Sequence, residues 1–140
     1  MGKLEAATAL YRGDFLEDLN FNEEAGLQEW LQFHRRYYFH QQMEALQHLA
    51  NYYQNLNQYD LANHYAFRQL KMDPLGESAH RQIMYLLAIT GWRSTAIEQY
   101  QICRRNLATE LGIEPEPETV ALFEQIKAGT VIKNERKELR

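Results

Sequence analysis

A chain of 140 residues, 45% hydrophobic and 24% charged, has the size and make-up of one globular domain and is long enough to bury a core without metal or disulfide support. Its single cysteine, Cys103, excludes an internal disulfide and fits a reducing cytoplasm, while the absence of an apolar run near the roughly 20 residues that span a bilayer, or of a secretory leader, points to a soluble cytoplasmic protein with no membrane partner. Fifteen basic against 19 acidic side chains, a net charge of −4, argue against a chain whose main task is to grip phosphates.

Long stretches rich in Leu, Ala, Gln, Glu, Arg and Tyr, with apolar residues three and four apart and no alternating β-branched run, predict an all-α fold. A first short helix is expected over Lys3 to Tyr11, stopped at Gly13, with Asp14 capping a turn that carries Phe15, Leu16 and Leu19. A second begins near Glu23 and runs to Leu56, about 33 residues or roughly 50 Å, on an apolar stripe that includes Leu27, Trp30, Leu31, Tyr37, Leu46, Leu49, Ala50 and Tyr53. Tyr59 to Met72 follows, closed by Asp73 and Pro74, and the proline is placed at the first position of the next helix, Leu75 to Thr90. Gly91 ends that helix, and Ser94 is the expected cap of one that continues to Leu111 before Gly112. Pro115 and Pro117 introduce a last helix over Glu118 to Ala128, and residues 129–140 form a charged tail or linker.

Displacing the sequence by 34 residues sets Leu49 over Ile83, Tyr53 over Leu87, Asn57 over Gly91 and Ala62 over Ala96. Apolar residues on one helix, a turn residue able to adopt positive φ, and a small alanine early in the next helix are what a close antiparallel helix pair requires. These features resemble the tetratricopeptide repeat, with flanking helices as caps. His80, Ala66 and Ala108 depart from that pattern, standing in place of a large apolar residue, an aromatic and the closing proline.

A narrower resemblance is carried by Tyr11-Arg12-Gly13-Asp14-Phe15-Leu16, Trp30 and Arg35, Ala45-Leu46, Leu49-Ala50, Asp73-Pro74-Leu75, Glu77, Ala79-His80-Arg81 and Met84. It continues through Gly91, Arg93, Ala96, Tyr100, Arg104, Leu107, Glu110-Leu111-Gly112-Ile113-Glu114-Pro115, Pro117-Glu118-Thr119 and Leu122. In this order the residues resemble the bacterial transcriptional activator domain of SARP-type antibiotic regulatory proteins, over residues 1–128. The resemblance implies a non-enzymatic regulatory domain in transcription and signal transduction that acts by dimerisation or partner binding. It also implies that DNA is bound only by a winged-helix neighbour absent from this chain, and that RNA polymerase is a candidate contact. The start at Met1-Gly2-Lys3 reads as that of a fragment excised from a longer regulator.

In the repeat register the first helix of each pair lines a concave face with Glu44, Gln47, Asn51 and Gln54 from one copy and Ser78, Arg81, Tyr85 and Ala88 from the other. Amides, a tyrosine and an arginine fork suit an extended peptide, whose backbone needs donors and acceptors and whose carboxylates pair with Arg. The run His34-Arg35-Arg36-Tyr37-Tyr38-Phe39-His40 mixes cations and aromatics, as single-stranded nucleic-acid sites do, but on a helix its residues diverge, and the simpler expectation turns Phe33, Tyr37 and Met43 partly inward. No two of the five histidines sit three or four apart, so no metal site or cofactor is expected. No catalytic residues are assigned, and Cys103 is expected to be a small buried hydrophobe. A generic tetratricopeptide adaptor, and direct nucleic-acid binding through Arg35, Arg36, Arg104 and Arg105, are the competing functions.

Overall fold

The computed structural model describes residues 24–131, and within them the backbone forms five helices and no strand. These are α1 (Glu24–Asn55), α2 (Tyr59–Met72), α3 (Glu77–Ile89), α4 (Arg93–Leu111) and α5 (Pro117–Ala128). The described fold is the all-α helical repeat expected from the sequence. The helix predicted over Lys3 to Tyr11, its neighbour at Asp14 and the tail after residue 131 lie outside the described residues.

The chain divides into two compact units, residues 1–44 and 45–140. In the first, Leu31 is buried and the Trp30 ring lies 4.0 Å from that of His34. Phe33 and Tyr37 are 58% and 47% exposed, against the inward placement expected for them. The reason is angular: at 3.6 residues per turn Phe33 stands roughly opposite Leu31 and cannot share its face.

In the second unit the 34-residue period holds down to individual backbone bonds. Asn57 and Gly91 both adopt positive φ, 61° and 93°, which an asparagine or glycine tolerates at low cost. After each, the chain closes the helix in the same way: Gln58 N donates to Tyr53 O at 2.9 Å and Trp92 N to Leu87 O at 2.7 Å. The following helices then open alike, with Ala62 N bonded to Gln58 O at 3.0 Å and Ala96 N to Trp92 O at 2.9 Å. Such six-residue closures satisfy carbonyls that a helix end leaves without partners. A third closure follows α5, where Gly129 has φ 74° and Thr130 N donates to Gln125 O at 2.9 Å.

Several expected boundaries shift. Asp73 Oδ1 accepts from Leu75 N at 3.2 Å and Asp73 O from Gly76 N at 3.0 Å, so a side-chain-supported turn takes up Pro74 and Leu75 and α3 starts at Glu77. Local bonding of an Asp to nearby backbone competes with helix in this way. Ser94 lies inside the first turn of α4, whose cap residue is Trp92 without a side-chain capping bond, because the turn at Gly91 closes early enough to start the helix at Arg93. The last helix starts one residue earlier than expected, with Pro117 at the first position of α5, where its lacking N–H leaves no helical bond unmade.

The core joins Met84, Ala96, Tyr100 and Ile126, with Leu87, Ala88, Leu122, Phe123 and Val131 packed around them. Tyr100 and Phe123 stack at 3.9 Å with planes 7° apart, fixing α4 against α5. In the first copy the position of Tyr100 is held by the fully buried Ala66, and the aromatic contact moves to Tyr65, stacked on Tyr53 at 5.8 Å. Ala62 and Ala96 are both fully buried, as the repeat demands. Leu49 and Ile83 are not equivalent in burial, 37% against 0% exposed: Ile83 lies on α3, which packs against α2, α4 and α5 at once. Arg93 closes the unit by donating through Nε to Ile126 O at 2.9 Å and through Nη2 to Lys127 O, which places a cation on the last carbonyls of α5.

Candidate protein-contact groove

Three helices of the second unit present an open groove of about 400 Å³. α1 contributes Gln47, Asn51 and Gln54; α3 contributes Ser78, Arg81, Gln82 and Tyr85; α5 contributes Glu118, Leu122 and Gln125. The spacing explains the convergence. Gln47, Asn51 and Gln54 stand at i, i+4 and i+7, one stripe of a helix; Ser78, Gln82 and Tyr85 repeat it on α3, and Glu118, Leu122 and Gln125 repeat it again on α5. The structure thus gathers six of the eight residues expected on this face. Glu44 belongs to the first unit and is not among the groove's lining residues. Ala88, also expected there, packs against the core cluster.

Gln82 and the whole contribution of α5 were not foreseen from the sequence. The i, i+4, i+7 triplet on α5 is legible in the sequence, but it falls three residues later than the 34-residue period would put it, so a fixed period passes over it. Gln82 matters because it ties the groove's walls together: its Nε2 donates to Asn51 Oδ1 at 3.0 Å and to Gln54 Oε1 at 2.8 Å. Donating to both leaves the amide N–H groups of Asn51 and Gln54 as groups able to bond elsewhere.

At the other wall Arg81 is already engaged. Its Nη1 donates to Glu116 Oε1 at 3.0 Å and to Thr119 Oγ1 at 2.9 Å, and its Nη2 lies 3.6 Å from Glu118 Oε1. Thr119, fully buried, donates a hydrogen bond through Oγ1 to Glu77 Oε1 at 2.6 Å, and the same oxygen accepts from Glu116 N at 2.9 Å. This chain of charge-assisted bonds locks the start of α5 to the start of α3, and it gives the guanidinium a structural task in addition to its place in the groove. Arg104 is likewise 3.5 Å from Glu114.

Behind the groove two buried titratable groups are held neutral. His80, 1% exposed, has Nε2 3.0 Å from Pro74 O and Nδ1 2.9 Å from Gln99 Nε2. A carbonyl only accepts, so Nε2 carries the proton and donates it, and Nδ1 accepts from the Gln99 amide. Burial pulls the imidazole below its ordinary pKa, against the opposing pulls of Pro74 O, Glu77 and Asp73. Cys103 is buried and its thiol is pushed up to about 11, first by burial and then by the charge of Glu77, with Arg81 pulling it down and Glu116 raising it. A thiol so protonated is a poor nucleophile.

Chemically, the groove offers amide, hydroxyl and phenol groups around a neutralised guanidinium, a set that serves hydrogen bonding to polypeptide backbone. Among the described residues no three His, Cys, Asp or Glu side chains converge as metal ligands, and no helix is long and apolar enough to cross a membrane. Of the arginines considered for nucleic acid, Arg35 and Arg36 lie in the first unit and Arg104 and Arg105 in the second.

Comparison with known proteins adds three findings. The family model of the bacterial transcriptional activator domain matches residues 1–127. The transcriptional regulatory protein MoaR1 of Mycobacterium tuberculosis (strain ATCC 25618 / H37Rv), and that of Mycobacterium bovis (strain BCG / Pasteur 1173P2), are each 37% identical over 59 residues, 42% of this chain but 19% of the relative. The chain therefore spans only about a fifth of the length of those relatives, and no solved structure gives a significant match.

Proposed function

The chain belongs to the bacterial transcriptional activator domain family, and from this we propose that it is the protein-contact part of a transcription regulator, with DNA held by a domain outside this chain. It works in the cytoplasm by receiving a protein segment, from a partner such as RNA polymerase or from a second copy, in the groove of α1, α3 and α5. Occupancy of that groove alters how the DNA-binding neighbour is presented, a coupling whose usual size is about 1–3 kcal/mol. One observation carries this reading: three helices place the same i, i+4, i+7 stripe around one concavity, whose lining side chains are polar or charged except for Leu122, while other faces of α3 and α5 build the core.

The test is a random-peptide display selection against the chain, followed by titration of enriched peptides into the Gln47→Ala/Gln125→Ala double variant. Both side chains are exposed groove positions, so the fold tolerates their loss. Enrichment, with affinity reduced severalfold in the variant, supports the groove. Peptides that bind parent and variant alike refute it. Light scattering over a concentration series separates a second copy from a foreign partner, since self-association through the groove must weaken in the same variant.

A further inference from the structure

The groove's charge reverses the expectation drawn from the sequence, in which Arg81 meets a partner's carboxylates. Arg81 and Glu118 are the charged side chains that line it. Two further carboxylates, Glu77 and Glu116, are bonded into the same end of the site through Thr119 and Arg81. Against three negative charges stand one guanidinium and the starts of α3 and α5, each worth about +0.5 of a charge. The balance is about one negative charge, and Arg81 faces a carboxylate oxygen at 3.0 Å before any partner arrives. Glu116 and Glu118 remain 61% and 76% exposed, and the Arg81–Glu118 contact is loose at 3.6 Å. The buried thiol of Cys103 registers the same field, since Glu77 raises its pKa more than Arg81 lowers it.

We infer that the groove takes an extended segment of a partner protein that carries a basic side chain, which pairs with Glu118 and Glu116 at the start of α5 while the amides of Asn51 and Gln54 bond its backbone. The geometry supports both halves. The amides line the wall formed by α1, Glu118 lines the wall formed by α5 with Glu116 just ahead of that helix on Arg81, and the opening between the two walls is one groove. An acidic segment would have to displace Glu116 or Glu118 from Arg81 and leave that carboxylate beside its own. A basic one adds the missing partner. The inference rests on the groove being a protein-contact site, and the experiment separates the two.

Three fluorescein-labelled ten-residue peptides of Ala, Ser and Leu, identical except for two central Lys, Gln or Glu residues, are titrated into the full chain at about 50 mM and 300 mM salt with anisotropy as readout. The expected result is a Lys peptide that binds about threefold to tenfold more tightly than the Glu peptide, the size of one or two exposed ion pairs, with the preference shrinking at the higher salt. In Glu118→Gln the preference for the Lys peptide over the Glu peptide should fall to near unity. Far-ultraviolet circular dichroism confirms that this exposed substitution leaves the helices in place. Equal binding of all three peptides, or tighter binding of the Glu peptide, overturns the inference and leaves the groove as a protein-contact site. No binding by any of them, at peptide concentrations up to about 1 mM, refutes the groove and the inference together.

Discussion

Replacing Thr119 by valine removes one hydroxyl from the lock between α3 and α5 and changes its shape hardly at all. In the structure that oxygen donates to Glu77 at 2.6 Å, accepts from Arg81 at 2.9 Å and has no exposure to solvent. A hydrogen bond to a charged group contributes about 1.5–3 kcal/mol, and the low end applies to each here because both ions keep another partner: Glu77 the amide of Glu116, and Arg81 its carboxylate. Two bonds at the low end give about 3 kcal/mol, and the added methyl returns about 0.8 kcal/mol. The net loss is then ~2 kcal/mol, a shift of roughly 4–8 °C in melting temperature for a chain of this size. Urea unfolding at pH 7 measures it, with an unchanged denaturant slope showing that only stability has moved. Thr119→Ser keeps the hydroxyl and loses a methyl, so it costs about 1 kcal/mol. A valine variant as stable as the serine variant or more so would refute the claim that bonding, rather than packing, holds α5 in place.

Two further outcomes follow from the core. Ala96→Leu puts three extra carbons where Met84, Tyr100 and Ile126 meet, and overpacking of this kind costs about 1–3 kcal/mol; an unchanged melting curve would contradict the close helix approach at that alanine. For His80 the lowered folded-state pKa means that the unfolded chain binds the proton more readily. Its contribution is therefore complete above the unfolded value of about 6.5 and is lost as pH falls through the lowered folded value. Urea midpoints from pH 8 down to pH 5 should show this decline, and in His80→Gln, which keeps a donor and an acceptor but does not titrate, the decline should be smaller. Equal slopes in the two proteins would remove His80 as its source.

The helices and their order were legible because the chain marks its turns with residues that suit them. Asn57 and Gly91 sit where φ turns positive, and an antiparallel pair needs Ala62 and Ala96 where they are. Side-chain bonding was less legible. Nothing in the spacing shows that Asp73 bonds Leu75 and so delays α3, or that Arg81 is occupied by residues more than thirty positions away. Burial also escaped the period, as Leu49 and Ile83 show, because a repeat copies a helix but not its neighbours. The groove was half visible: α1 and α3 follow the period, α5 departs from it by three residues, and the acidic wall therefore went unread.

Arg93 hooks the last carbonyls of α5 from the first turn of α4, and Val131 just beyond is set against the same core. Together with the Tyr100–Phe123 stack these contacts hold the end of α5 from two sides, so opening its last turn costs more than the fraying ordinarily seen at a helix end.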